Sequence, residues 1–219
     1  MSCPHGYKWR TKQMKNDPSD RIKCPEEENG KGGELQRIEL ALLRETRTIV
    51  IAKEVDRDLM NKVTNNLLYL EHIDPQKPIT VFVNSPGGDA DSGFAIYDVM
   101  KFVESPVSTV VAGLCASAGV IIFLGGDKGQ RVSTPHSRFL IHQPSTGAQG
   151  QTSDIEITAK EIIKTRDRYN RVVAEETGIV ADKIVKDANR DFWLSASEAV
   201  EYGLVDRIAA SRNELNTAK

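Results

Sequence analysis

Ser117 lies in the stretch GLCASAGVIIFLGG, where a run ending in small residues meets a long apolar run. A serine at the mouth of a helix sits among free backbone N–H groups, at the positive end of the helix dipole. That environment favours developing negative charge, which a nucleophile needs when its attack on a carbonyl creates an oxyanion. It suits an N-cap serine equally well, and capping is the commoner use of serine there. The surrounding C-A-S-A-G also differs from the G-x-S-x-G elbow of the α/β-hydrolases.

A nucleophilic serine requires a base, and the chain has four histidines. His5 lies in a polar N-terminal stretch, His72 ends a polar helical pattern, and His136 sits in the loop STPHS. His142 ends the apolar run RFLI and is followed by Gln143-Pro144, where the proline keeps the backbone extended. A histidine at a strand end can reach a nucleophile on a neighbouring strand. The competing assignment is a structural histidine bonded to backbone. Asp191, in the polar turn of NRDFWLS, is the candidate orienter of that base. Asp182 and Asp187 are its rivals, but both fall in the helical pattern VADKIVKDANR. Ser, His, Asp is a chain order beyond the three familiar ones for such a grouping.

The loop NSPGGDADSG follows one apolar run and opens a helical pattern. Paired glycines permit the positive φ of an anion-binding nest. The loop is too short for a phosphate-binding Walker A motif and lacks its lysine, which excludes that nucleotide site. The loop is a candidate source of one oxyanion donor, and the N–H next after Ser117 is the candidate second.

These residues need elements to hold them. RTIVIA (47–52), ITVFVNS (79–85), STVVAGL (108–114) and RFLIHQ (138–143) are short β-branched runs that predict buried strands. Between them, Leu59, Met60, Val63, Leu67 and Leu70 recur at helical spacing, as do Phe94, Ile96, Tyr97, Met100 and Val103. Alternating strands and helices predict an α/β domain with mainly parallel strands. Ser153-x-x-Glu156 reads as a capping box opening a helix that Gly178 closes. About six turns are implied. Its stripe of Ile155, Ala159, Ile162, Tyr169 and Val173 either packs on the chain's own core or projects and meets another copy. Ser195-x-x-Glu198 predicts a second, short helix.

The bulk properties narrow the class. A net charge of −2 gives no reason to expect nucleic acid, and no apolar run approaches the roughly 18 residues of a membrane span. The N-terminus lacks the apolar core of a secretory signal. Three cysteines make no disulfide framework, so a reducing, cytoplasmic-type compartment is expected. Residues 1–33 carry seven Lys or Arg and five Asp or Glu with almost no aliphatics, and predict a disordered tail preceding a domain over 34–219. Cys3, His5 and Cys24 match no closed zinc pattern, so no metal is expected. Cys115 reads as a small buried residue.

Taken together, NSPGG, the ASAG serine segment, SRFLIHQP followed by GAQGQTSDIEI, and RDFWLSASEAVEYGLVDRI resemble, in order, the blocks of the Clp protease proteolytic subunits. The resemblance covers roughly Val50 to Ile208. It implies a crotonase-like spiral of ββα units with a projecting handle helix. It implies Ser117 as nucleophile, His142 as general base and Asp191 as its orienter, with Gly88 and Ala118 as oxyanion-hole amides. It also implies stacked heptameric rings joined through the handle (Gln143 to Gln151 with the long helix), with Arg190 near the ring interface. Unfolded polypeptide would be cut in a closed chamber fed by a hexameric AAA+ ATPase, in the cytoplasm or an organelle's stroma or matrix. The chain itself would bind no ATP and need no cofactor. Residues 1–45 depart from the family's N-terminal arm, and alanine follows the serine where methionine is usual. The alternatives are a structural or regulatory subunit of a mixed ring and, lower, an acyl-CoA enzyme on the same scaffold.

Overall fold

Among the described residues seven strands make one sheet, and its connectivity decides where the chemistry-bearing residues end up. The structure, a computed structural model, describes residues 31–144 and 150–216. Residues 1–30 of the expected tail, with Cys3, His5 and Cys24, lie outside the described residues, as do 145–149 of the expected handle loop. Lys31–Gly33 already belong to the first helix, α1 (Lys31–Thr46).

β1 (Thr48–Ile51), β2 (Ile79–Ser85) and β3 (Val107–Ala116) pair in parallel, and β4 (Arg131–Ser133) and β7 (Arg207–Ile208) extend that order. Ile79, Val81, Val83 and Ser85 of β2 are all buried, alternating with less buried neighbours as the period of a strand requires. The buried side is covered by α2 (Arg57–Ile73), α3 (Ala90–Phe102) and α4 (Ala118–Leu124), which share one large apolar core with it. On α2, Leu59, Val63, Leu67 and Leu70 are buried and Met60 partly so. On α3, Phe94, Ile96 and Met100 are buried and Tyr97 partly so.

The strand that matters most is β3, which changes neighbours along its length. Thr109, Val110 and Val111 pair with β4, whereas Leu114, Cys115 and Ala116 pair with β5 (Arg138–Ile141). Gly113, at φ +111, lies between the two halves, and the β2–β3 register is irregular beside it. An irregularity of this kind bends a strand and re-aims its end. β6 (Phe192–Ser195) then joins β5 antiparallel, with Ile141 opposite Phe192.

The long helix α5 (Thr152–Thr177) ends at Gly178 in the left-handed conformation, as predicted. Its start differs from the predicted capping box. Gln151 occupies the N-cap without a side-chain bond, and Ser153 falls inside the first turn. Its stripe packs on the chain's own core in the C-terminal half, where Tyr169 and Val173 join the core cluster. Ile155, Ile157 and Ile163 are exposed, whereas Tyr169, Asn170 and Val173 are buried. The buried half is held by Arg131, 1% exposed, which donates to the Glu176 carboxylate and to the carbonyls of Glu176, Leu124 and Gly126. Arg131 thereby ties the C-terminal ends of α4 and α5 together. α6 (Ala181–Asp187) and α7 (Ala196–Glu201) follow, and Ser195 with Glu198 forms the predicted capping box of α7. No helix among the described residues is long and apolar enough to cross a membrane.

Candidate active site

β3, β5 and β6 are neighbours, and each borders one of the three predicted residues. β3 ends at Ala116, so Ser117 is the first residue beyond it; its N–H donates to Leu140 of β5 at 2.9 Å. β5 ends at Ile141, so His142 emerges beside that turn. β6 starts at Phe192, opposite Ile141, and one more step of the same register sets His142 against Asp191. The Nδ1 of His142 lies 3.6 Å from Asp191 Oδ1. That is just beyond hydrogen-bond range. Among the described residues no hydrogen bond joins Ser117 Oγ to His142, although both line the same cleft. Catalytic hydrogen bonds commonly tighten only once substrate is bound. Asp187, one of the two rival aspartates, accepts from Lys183 and Tyr202 Oη and is thus engaged elsewhere.

The serine has the position of an N-cap without the bonding of one. It precedes α4, but its side chain makes no capping bond. Its backbone stands at φ 54, ψ −121. A positive φ costs a non-glycine residue roughly 1–2 kcal/mol and persists only where the surroundings impose it. Here they do. The glycine loop packs directly on the turn, and a Cβ at Gly87 (φ +93) would stand 2.6 Å from the Cβ of Ser117 and 2.7 Å from the Ala116 carbonyl oxygen. Only glycine permits that approach. The loop is itself anchored, since Ser85 Oγ donates to Lys53 O, Val55 N–H to Gly87 O and Asp89 N–H to Val55 O. Asp89 closes it by capping α3 through the Ser92 N–H. Neither the Gly88 nor the Ala118 N–H has an acceptor among the described residues.

The cleft, of about 480 Å³, runs between the glycine loop and α3 on one side and α5 on the other. Phe94, Ile121, Ile162 and Tyr169 provide apolar lining, and Thr158, Glu161 and Thr165 add polar groups from α5. The sequence pattern marked Phe94, Ile162 and Tyr169 as apolar stripe residues but not as cleft walls, because nothing in periodicity says which helices meet across a groove. A somewhat larger apolar hollow, about 530 Å³, lies among Val50, Phe82, Val110 and Leu215; none of the residues expected to do chemistry lines it. Among the described residues no group of His, Cys, Asp or Glu is placed to hold a metal. Cys115 is fully buried, and burial pushes its thiol well above the ordinary range, as befits a packing residue.

Ser117, His142 and Asp191 thus stand at the ends of three adjoining strands, with the glycine loop packed beside the serine. The Clp protease family profile matches residues 31–212. The chain is 47% identical over 171 residues to ATP-dependent Clp protease proteolytic subunit 2 of Treponema pallidum, covering 78% of this chain and 86% of that protein. It is 45% identical over 182 residues to proteolytic subunit 1 of Gloeobacter violaceus, covering 83% and 92%. A solved ClpP1 point mutant from Listeria monocytogenes superposes with a TM-score of 0.75 at 44% identity, covering 81% of this chain and 99% of that one. The chain belongs to the Clp protease family and has its fold.

Proposed function

We propose that the chain is the proteolytic subunit of an ATP-dependent protease, working as a serine endopeptidase on unfolded polypeptide. The observation that supports this is the register of β3, β5 and β6: Ser117 and His142 line one cleft, and Asp191 Oδ1 stands 3.6 Å from His142 Nδ1 behind it. Ser117 Oγ attacks the scissile carbonyl. His142 takes its proton and returns it to the leaving amine, while Asp191 orients the imidazole and stabilises its charged form. The N–H groups of Gly88 and Ala118 receive the oxyanion.

The exposed isoleucines of the first half of α5 fit a surface covered by another copy, as in stacked heptameric rings. An AAA+ ATPase supplies substrate and uses the ATP, and this chain takes no cofactor. The compartment is cytoplasmic or its organellar equivalent. Cleavage of a fluorogenic peptide by the assembled protein, lost in Ser117→Ala, tests the reading; unchanged cleavage in that variant overturns it. A second reading has one observation in its favour. The 3.6 Å gap between His142 and Asp191 suits a subunit that is inert alone and becomes active only in a mixed ring. Relatives named as subunits 1 and 2 supply the precedent for sister chains. Activity that appears only after a sister subunit is added would favour it.

A further inference from the structure

The peptide unit between Ser117 and Ala118 has two polar ends. One is the Ala118 N–H, the proposed oxyanion donor, and the other is the Ser117 carbonyl. A peptide unit is planar and trans, so fixing the direction of the carbonyl fixes that of the N–H, which points the opposite way.

Two groups hold that carbonyl. The Val120 N–H donates to it at 2.9 Å from within α4. Tyr169 Oη donates to it from α5 at 3.4 Å. Tyr169 is only 4% exposed, and among the described residues its hydroxyl has no other partner. A buried hydroxyl is costly unless it is bonded, so phenylalanine would be the simpler residue for packing alone. Burial also pushes its phenol far above the ordinary range, which keeps it protonated and a donor. Tyr169 does not sit on a loose element. Seven residues later in the same helix, Glu176 is clamped by Arg131, whose other donors hold the end of α4. α5 is thus fastened along α4 at both ends, by Tyr169 at the serine turn and by Glu176 behind it.

Resting on the serine-peptidase reading above, we propose that Tyr169 is a positioning residue for the oxyanion hole: by holding the Ser117 carbonyl, its hydroxyl aims the Ala118 N–H at the cleft. Such a residue acts on the developing oxyanion and not on ground-state binding, so its loss lowers kcat and leaves KM in place.

Tyr169→Phe keeps the ring and deletes only the hydroxyl. One net hydrogen bond corresponds to roughly three- to tenfold in rate. The expected result is a fall of that size in kcat for a fluorogenic peptide, and an equal fall in the rate of fluorophosphonate labelling, with KM unchanged. Tyr169→Leu, which lacks both ring and hydroxyl, should lose at least as much kcat. Parental kcat and labelling rate in Tyr169→Phe, or a loss carried by KM, overturns the proposal. So does a Tyr169→Leu variant that keeps parental kcat. Labelling of the parent at Ser117 is measured first. If the parent takes no label, the serine-peptidase reading itself falls; if it labels and Tyr169→Phe matches it, only the role of Tyr169 falls.

Discussion

The two halves of the cleft are built differently. The nucleophile half is embedded: Ala118 and Ile121 are buried, Ser117 is locked at positive φ, and the glycine loop presses on it within van der Waals distance. The base half hangs on strand ends. The His142 side chain is 29% exposed and that of Asp191 65%. Among the described residues their loops are joined by one side-chain bond, from Gln143 Nε2 to Asn189 Oδ1 at 2.9 Å. The core of a single chain therefore sets the serine and the two candidate oxyanion amides. The proposed base and its orienter have only partial support from the chain itself.

The contrast predicts that damage to the nucleophile half lowers stability and activity together, whereas damage to the base half lowers activity alone. The largest effect should come from Gly87→Ala. The new methyl meets the Ser117 Cβ at 2.6 Å with φ at +93. Strain and overpacking together cost about 3 kcal/mol. Chemical denaturation should show that loss, and peptide cleavage should be abolished. An active, stable variant would break the comparison.

Next is Glu176→Gln, which leaves Arg131 buried without its counter-charge and should cost about 3 kcal/mol at neutral pH. Desolvation works against ionisation of Glu176, but the bonds from Arg131 and Tyr97 and the nearby charges of Arg131 and Lys101 together hold its carboxyl below the ordinary 4.5. A lowered carboxyl stabilises the fold fully above that value and loses its contribution as the pH falls through the folded value. The stability gap between parent and variant should therefore narrow below about pH 4.5. A gap that stays constant with pH would remove Glu176 as its source.

On the base side, Asp191→Ala should leave the unfolding midpoint unchanged while lowering kcat by about a hundredfold, the lower end of what acid–base support contributes, because the carboxylate is well hydrated. A destabilised variant would place Asp191 in the locked half. The smallest effect belongs to Gln143→Ala. It removes the bond to Asn189 and should lower kcat by roughly threefold without changing stability, as expected for one exposed neutral hydrogen bond. No change in kcat would show that the base loop is held by something else.

Much of this was legible in the sequence. The β-branched runs predicted β1, β2, β3 and β5 to within two residues at each end, because buried parallel strands leave little room for anything but Val, Ile and their like. Ser117 and His142 line one cleft, and Asp191 lies 3.6 Å from His142. Three things were not legible. β4 is only three residues long, too short for a period to show, and β6, FWLS, lacks the β-branched residues that mark the other strands. The start of α5 was assigned to Ser153 on the capping-box pattern, yet the chain uses Gln151, since a side chain that can cap need not do so. The registers that set His142 against Asp191 are long-range facts, invisible in any local window.

The central claim is that Ser117 is an activated nucleophile. The direct measurement is the intact mass of the assembled protein after incubation with a fluorophosphonate, followed by location of the modified peptide. The account predicts a single adduct, on Ser117, absent in His142→Ala. No adduct, or an adduct on another residue, would contradict it.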